Sequence, residues 1–317
     1  MLVVLVSCNR VSREEPRNLS GQISYPELAY NPDSGEIQAL LDGGWKEHTF
    51  SNGEKIHYQV LQGDVFVDGD IRLGTEVQFN KEIEEHEERI KSGQVAGGSN
   101  ELTPQGSGFR ECSRWFFGCY DYNDYARAWK DRTVRYTIAS GFSALQLSSI
   151  SEAISHISSK TLIRFQNVAS GPNRVIIRPV ASGCSADIGA PKYTDFPNYM
   201  NLSTACGSGS IIHEFGHTLG LWHEQSRCDR DNYVTIYLAN VTPSSSRFNF
   251  DKHCSDGTDI GSYDYDSIMH YPARAFAAPG TYTIIPKGGV DINRIGQRDG
   301  LSRGDVSAIG KRHGYIR

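Results

Sequence analysis

The amino-acid sequence predicts an α+β fold, and the order of its elements is the main observation behind that prediction. A strand at Thr133–Ile138 is followed by a helix at 144–159, and then by two strands at 161–165 and 174–180. A shorter helix that carries a histidine motif comes next, and a polar loop at 251–266 follows it. Strands and helices in this order suit an α+β lobe.

Apolar spacing predicts how the helices pack. The helix at 144–159 has four apolar residues at helical spacing, which are expected to face the core. These residues are Leu147, Ile150, Ile154 and Ile157. A closing helix is expected to begin at Ser302, with Asp305 completing a variant of the capping box. Val306 and Ile309 should then face inward.

Length and charge limit the classes of protein to consider. A chain of 317 residues is long enough for one main domain and a smaller segment. The formal net charge is −5, and the isoelectric point is near 6.1. The chain therefore lacks the basic footprint of a nucleic-acid-binding protein.

Residues 213–223 read HEFGHTLGLWH, which has the form H-E-x-x-H-x-x-G-x-x-H. His213 and His217 are one helical turn apart, so both imidazoles can reach one zinc ion at about 2.0–2.1 Å. Gly220 can end the helix at low conformational cost, and His223 can then supply a third nitrogen. Three protein ligands leave a fourth position for water, which is typical of a catalytic zinc site.

A second motif strengthens the zinc interpretation. Residues 267–272 read SIMHYP, a Met-turn of the kind that accompanies the long histidine motif. Met269 is expected to form an apolar floor beneath the ligands rather than to bind the metal. Glu214 directly follows the first ligand, so it can take a proton from the attacking water and deliver it to a leaving amine.

These residues resemble the astacin family of zinc metalloendopeptidases, within the metzincins. The resemblance continues through HEQSR at 223–227 and DRDNYV at 229–234, and it covers about residues 129–315. It implies a two-lobed catalytic domain, with a twisted mixed sheet and the active-site helix over an irregular C-terminal lobe with a closing helix. We interpret the chain as a bacterial, flavastacin-like member with a pro-segment.

The resemblance also implies roles for single residues. Tyr271 is expected to bind zinc at rest and to swing away to stabilise the transition-state oxyanion. Glu224 is expected to receive the ammonium of the N-terminus that maturation creates, with a surface pair to Arg227 as the alternative. The strand at 184–189 is expected to be the sheet edge that aligns a peptide substrate. Arg274 is a candidate for binding acidic residues after the cut, and a solvent-facing arginine is the alternative.

Seven cysteines without a C-x-x-C pair indicate disulfides formed in an oxidising compartment. The sequence alone does not fix their connectivity. The resemblance implies one disulfide that involves the edge strand. A second would close a loop just after the third histidine, and a third would join two cysteines that are close in sequence. The expected pairs are Cys184 with Cys206, Cys228 with Cys254, and Cys112 with Cys119.

Residues 1–8 read MLVVLVSC and resemble a truncated signal peptide that ends in a bacterial lipobox. Cys8 would then be acylated and become the mature N-terminus. A chance apolar N-terminus with a spare cysteine is the alternative. The apolar run is too short to span a bilayer, so membrane contact is expected only through such an anchor.

Residues 9–119 are predicted to form a pro-segment and linker, and residues 120–317 the catalytic domain. Strands are expected within 55–73 and a charged helix at 81–91, with its glutamates and His86 facing solvent. The run rich in Gly, Ser and Asn at 92–108 is expected to be a flexible linker near the maturation cut.

Residues 69–74, GDIRLG, resemble the aspartate switch of the family, in which a carboxylate takes the open zinc position. Asp70 is the expected switch residue. Asp64 or a cysteine is the alternative inhibitor, and an ordinary turn aspartate is the alternative role for Asp70.

The sequence thus predicts a secreted, zymogen-derived endopeptidase that binds one zinc ion and hydrolyses internal peptide bonds through zinc-bound water. Its expected partners are protein or peptide substrates and not nucleic acid, and it is expected to be a monomer. The expected location is extracellular, or periplasmic or outer-membrane as a bacterial lipoprotein. The alternative is a zinc-stabilised binding or adhesion lipoprotein without turnover.

Overall fold

The computed structural model describes residues 46–53, 55–61, 63–92, 127–191, 197–254 and 257–316. The predicted lipidation at Cys8 and the predicted pair of Cys112 with Cys119 lie outside these residues, as does most of the predicted linker. Within the described ranges, no helix is both long and apolar enough to cross a membrane.

A mixed sheet of nine strands forms the centre of the fold, and the predicted pro-segment contributes its first four. These are β1 (Lys46–Thr49), β2 (Lys55–Leu61), β3 (Asp64–Val67) and β4 (Ile71–Thr75). The other five are β5 (Thr133–Ile138), β6 (Arg164–Asn167), β7 (Val175–Pro179), β8 (Cys184–Asp187) and β9 (Asn198–Leu202). Their order across the sheet is β1-β2-β3-β4-β8-β9-β7-β5-β6.

The junction between the two groups of strands lies at β8. This strand is antiparallel to β9, as the resemblance implies for the substrate edge, and Cys184 lies opposite Leu202. On its other side β8 pairs in parallel with β4, so that Ile71 lies opposite Ala186 and Arg72 opposite Asp187. The predicted pro-segment therefore covers the sheet edge that was expected to align substrate.

Among the residues that the structure describes, four α-helices pack on this framework. They are α1 (Glu76–Lys91), α2 (Ala144–Lys160), α3 (Ser208–Thr218) and α4 (Arg303–Arg312). Helix α1 begins five residues before the predicted start, because Thr75 and Gln78 form a capping box. The predicted solvent exposure of His86 and Glu82 is wrong, since His86 is fully buried and Glu82 is 7% exposed. Their side of α1 faces strands β3 and β4.

Helix α2 packs through Ile150, Ala153 and Ile157, and Ile154 is partly buried against the same core. The prediction that Leu147 is buried is wrong, because 42% of this residue is exposed. At 3.6 residues per turn, Leu147 is rotated about 90° from the centre of the buried stripe. Helix α4 has the predicted cap at Ser302 and Asp305, and its Ile309 is fully buried.

The C-terminal part of the chain has little regular structure. It contains the two-stranded antiparallel pair β10 (Val234–Ile236) and β11 (Ile284–Pro286), and an aromatic core of its own that includes Phe250, Tyr271 and Phe276. Sheet, packed helices and irregular lobe together confirm the predicted α+β class.

Candidate metal centre and active site

Helix α3 carries His213, Glu214 and His217, and all three side chains are buried. The helix ends at Thr218 with Leu219 as its C-cap, and Gly220 has a φ of +89°, the left-handed conformation that favours glycine. The chain then reverses and brings His223 back toward the helix. The sequence motif therefore folds as its spacing predicts.

The three imidazoles converge on one point through their Nε2 atoms. His213 Nε2 lies 3.1 Å from His217 Nε2 and 3.3 Å from His223 Nε2. Ligand atoms of a tetrahedral zinc ion with bonds of about 2.0–2.1 Å are about 3.3 Å apart. The spacing of the nitrogens thus fits three ligands of one zinc ion.

Hydrogen bonds on the far side of two rings set their tautomers. His213 Nδ1 donates to the Ile268 carbonyl and His217 Nδ1 to the Leu221 carbonyl, each at 2.8 Å. A neutral imidazole that donates from Nδ1 has a lone pair on Nε2. Because both lone pairs point at the same place, a cation between them is electrostatically favoured.

Asp70 completes a group of four donor residues with these histidines. Its Oδ2 is 3.3 Å from His213 Nε2, and its Oδ1 is 3.1 Å from His223 Nε2 and 3.7 Å from His217 Nε2. Oδ1 is buried without a hydrogen-bond donor among the described residues. Burial raises the pKa of Asp70, but the His223 charge and the histidine hydrogen bonds outweigh it and hold the pKa well below its usual range.

The donor set fits zinc in number, type and charge. Imidazole nitrogens and a carboxylate oxygen are zinc ligands, and four of them form a closed tetrahedral set. The residues that would hold a zinc ion are His213, His217, His223 and Asp70.

Asp68 and Tyr271 form a second contact beside the metal ligands. Asp68 Oδ2 accepts a hydrogen bond from His253 Nε2 at 2.7 Å and lies 3.5 Å from His223 Nδ1. Its carbonyl accepts a hydrogen bond from the Tyr271 hydroxyl at 2.5 Å. The Tyr271 ring packs 4.5 Å from the His223 ring. The fourth donor in this structure is thus Asp70, and the metal and oxyanion roles of Tyr271 stay predictions for the chain without its pro-segment.

Glu214 lines a cavity of about 310 Å³ that also borders Asp70, Tyr271 and Arg298. Its Oε2 is buried, and no hydrogen-bond donor contacts it among the described residues. Burial and the Asp70 carboxylate raise the pKa of Glu214 well above its ordinary value. A buried, unpaired carboxyl oxygen beside the metal ligands is suited to accept a proton.

The Met-turn lies against α3, as predicted. A Cβ atom added to Gly216, which lies between the two helical histidines, would be only 2.4 Å from Met269 Sδ. Asp305 of α4 supports the turn, because it accepts hydrogen bonds from Ser267 Oγ at 2.6 Å and from the Ile268 amide at 3.0 Å. The Ile268 carbonyl in turn fixes His213.

Glu224 directly follows the third histidine, and both line a small recess of about 50 Å³. It accepts a hydrogen bond from the Asp264 amide at 2.7 Å, and the Arg227 guanidinium is 3.6 Å away. Burial raises the pKa of Glu224 to about 8, against the opposing charge of Arg227. Both predicted roles, ammonium acceptor and partner of Arg227, thus remain compatible with its position.

The remaining predicted residues lie near the cleft or support it. The structure joins Cys184 to Cys206 and Cys228 to Cys254. Asp64 pairs with Arg72 at 2.7 Å, on the sheet and away from the donor cluster. Arg274 borders the large cavity but is exposed.

Two cleft residues escaped the sequence analysis. Arg298 lines the cavity with Glu214, and its Nη1 donates to the carbonyls of Ile268 and Gln297 at 3.0 and 2.8 Å. Asp68 is only two residues from the predicted switch. Neither belongs to a spaced motif of chemically related residues, so no local pattern marks them.

Comparison with known proteins bears on this site directly. The peptidase family described as Astacin matches residues 121–314. The chain belongs to the astacin family. Its match to that family includes the three histidines, Glu214 and the Met-turn. The predicted flavastacin-like and bacterial character stays a prediction.

The chain is also similar to curated proteins. Bone morphogenetic protein 1 of Xenopus laevis is 33% identical over 192 residues, which are 58% of this chain and 27% of that protein. Zinc metalloproteinase nas-13 of Caenorhabditis elegans is 37% identical over 185 residues, which are 57% of this chain and 40% of that protein. The matched part of the chain thus spans less than half the length of these two relatives.

A solved structure of an astacin-family member also matches. High choriolytic enzyme 1, a hatching enzyme zinc-protease from Oryzias latipes, aligns with a TM-score of 0.54 and 33% identity. The alignment covers 63% of this chain and 98% of that one. The fold of the catalytic part is therefore astacin-like.

Proposed function

We propose that this astacin-family chain is a zinc-dependent endopeptidase that is made as a latent zymogen and hydrolyses internal peptide bonds of proteins or peptides. The observation that carries the proposal is the cluster of three imidazole Nε2 atoms with one carboxylate, spaced as a tetrahedral zinc site requires. Bound zinc supplies Lewis acidity, which polarises the carbonyl and lowers the pKa of water.

The residues of the chain do the rest of the chemistry. Glu214 accepts the proton of the attacking water and donates it to the leaving amine, which its buried and unpaired oxygen supports. Tyr271 donates a hydrogen bond to the oxyanion after it leaves the Asp68 carbonyl. Strand β8 aligns the substrate by backbone pairing, and a peptide there runs antiparallel to it.

Latency comes from the pro-segment acting at three places. Asp70 provides the fourth donor at the metal centre, and Asp68 holds Tyr271 through its carbonyl. Strand β4 pairs with β8 along the edge that substrate needs. Removal of residues up to about 119 would free all three at once, and the new N-terminal ammonium would then reach Glu224.

The hydrolase is favoured over a zinc-stabilised binding or adhesion module. A module of that kind gains nothing from burying Glu214 Oε2, which has no hydrogen-bond donor among the described residues, since an unpaired buried polar group costs about 1–3 kcal/mol. The disulfides support an exported protein that acts outside the cytoplasm. We propose that it acts there as a monomer. An acylated Cys8 would add a membrane anchor.

The test is metal-dependent cleavage of casein by the full chain after limited proteolysis within 93–119. We expect about one zinc ion per chain, loss of cleavage with a chelator, and recovery when zinc is added back. Cleavage that continues after zinc has been removed would overturn the proposal. So would a zinc-loaded, processed chain that cleaves no protein.

A further inference from the structure

A group of four charged residues, of which Arg72 and Asp187 are buried, joins the pro-segment to the catalytic part. Arg72 is 2% exposed, and its Nη1 donates to both carboxylate oxygens of Asp187 at 2.9 Å. Its Nη2 donates to Asp64 at 2.7 Å, and Arg178 donates to the other oxygen of Asp64 at 2.8 Å. Arg72 and Asp64 belong to the pro-segment, whereas Asp187 and Arg178 belong to the catalytic part.

Tyr199 completes the surroundings of the Arg72 guanidinium. Its ring centroid is 4.8 Å from Arg72 Cζ, and its backbone amide donates to Asp187 Oδ2 at 3.0 Å. A carboxylate beside an aromatic face is a binding arrangement for guanidinium groups, since it combines charge-assisted hydrogen bonds with a cation–π contact. Asp187 and Tyr199 both remain when the pro-segment is removed.

The register of the strands places this arrangement on the substrate path. Arg72 lies opposite Asp187 at the end of β8, and the Ala186 amide donates to the carbonyl of Asp70, the residue at the metal centre. Residues directly opposite one another in a sheet have side chains on the same face, whichever way the strands run. A peptide antiparallel to β8 therefore presents one side chain to Asp187, from a residue that precedes the cleaved bond.

We infer that Asp187 and Tyr199 form a subsite of the processed enzyme for an arginine or lysine side chain, within three residues before the cleaved bond. Arg72 fills this subsite in the zymogen as a stand-in for that side chain. The inference rests on the proposed function and names part of its substrate class, namely peptides with a basic residue on the N-terminal side of the cut.

Charge explains why substrate should take the place of Arg72. Asp187 is 8% exposed with the pro-segment in place. Burial raises the pKa of Asp187, and the Arg72 charge opposes this effect. A buried carboxylate that loses its cation is destabilised, so a basic side chain from substrate gains the interaction that Arg72 leaves. Arg178 is a rival, because its Cζ also lies over the Tyr199 ring at 4.3 Å and it loses Asp64 on processing.

The experiment compares peptides that differ at one position. The full chain is processed by limited proteolysis, and kcat/KM is measured for peptides with Arg, Lys or Gln at each of the three positions before the cut. At one of these positions we expect kcat/KM to be about tenfold higher for Arg than for Gln. Asp187→Asn should reduce this ratio to near one.

Asp64→Asn is the matched control, because it alters the same charge group but is removed with the pro-segment. It must keep the wild-type ratio. Equal kcat/KM for Arg and Gln at all three positions, in an enzyme that cleaves casein, would overturn the inference, and this comparison needs no variant to fold. A ratio that survives Asp187→Asn would overturn it as well. Failure to cleave any peptide or casein would instead count against the proposed function.

Discussion

The Tyr271 hydroxyl donates a hydrogen bond to the carbonyl oxygen of Asp68 at 2.5 Å. Two residues later the Asp70 carboxylate faces the three histidines. The turn between them needs Gly69, which has a φ of +79° and whose added Cβ would lie 3.3 Å from the Tyr271 hydroxyl. One tight turn of the pro-segment therefore holds both the tyrosine and the fourth donor position.

Replacing the Asp70 carboxylate should release this block. We expect the unprocessed Asp70→Ala chain to cleave casein at least about tenfold faster than the unprocessed wild type, because water and substrate can then reach the metal. The measurement is casein hydrolysis by intact chains, with gel electrophoresis to verify that they remain uncut.

Two variants complete that comparison. Glu84→Ala removes an exposed pro-segment carboxylate and should leave the chain latent. Asp64→Ala should activate much less than Asp70→Ala, since Asp64 pairs with Arg72 and Arg178 and not with the histidines. A silent Asp70→Ala chain beside an active Asp64→Ala chain would assign the switch to Asp64.

Glu214→Gln should separate catalysis from metal binding. The amide keeps the shape of the side chain but cannot take up the proton, so kcat should fall by about 10²–10⁴-fold. Zinc content should stay at the wild-type level because the three histidine donors of the cluster remain in the processed chain. Kinetics and metal analysis on one processed preparation provide the check, and a wild-type rate would disprove the role of Glu214.

Gly216 should not tolerate even one added carbon. Gly216→Ala would place a Cβ about 2.4 Å from Met269 Sδ, and overpacking of this kind costs about 1–3 kcal/mol of unfolding free energy. Gly207→Ser is the matched change at the start of the same helix, where the added atoms meet open space and serine is a favoured cap. Urea unfolding of both variants tests the contrast, which equal stabilities would contradict.

His313, at the end of α4, should make the folding stability depend on pH. Burial lowers its pKa to about 4, and its Nδ1 donates to the Ile309 carbonyl at 2.9 Å. The unfolded chain binds this proton near pH 6.5 and the folded chain only near pH 4, so folding stability falls as pH drops between these values. The contribution lost by pH 4 is at most about 3 kcal/mol.

His313→Asn keeps a donor at this position without the titration. The difference in unfolding free energy between wild type and variant, from urea titrations at pH 7 and pH 4.5, isolates the effect from other acid-sensitive groups. We expect the wild type to lose more stability than the variant. Parallel losses in the two chains would show that His313 does not carry this dependence.

Arg298 and Arg274 are the two candidates for binding an acidic substrate residue just after the cleaved bond. Arg298 borders the cavity beside Glu214, whereas Arg274 donates to the Thr281 carbonyl and lies 3.9 Å over the Tyr282 ring. Arg298→Gln should lower the ratio of kcat/KM for an acidic over a neutral residue just after the cut by about tenfold. Arg274→Gln should change that ratio less, and the reverse ranking would return the role to Arg274.

The parts of the site that follow from short-range spacing could be predicted from the sequence. The histidine motif, Glu214 and the Met-turn have fixed local offsets, and the capping box marked the start of α4. The sequence did not predict burial that depends on residues far away in the chain. His86, for example, is fully buried, and its ring lies 4.7 Å from the ring of Phe50. The sequence also did not predict the roles of Asp187 and Arg72, which are 115 residues apart and meet only through strand pairing.

The hydrogen bonds that Asp305 accepts from the Met-turn bear on the order of events during biosynthesis. His213, His217 and His223 leave the ribosome about 80–90 residues ahead of Asp305, at translation rates that correspond to several seconds or more. Until Asp305 emerges, the Ile268 carbonyl that orients His213 lacks its anchor. In that interval the nascent chain already contains all three histidines, but the Met-turn that orients His213 is not yet held by Asp305. Tight zinc binding is therefore expected late in synthesis or after release.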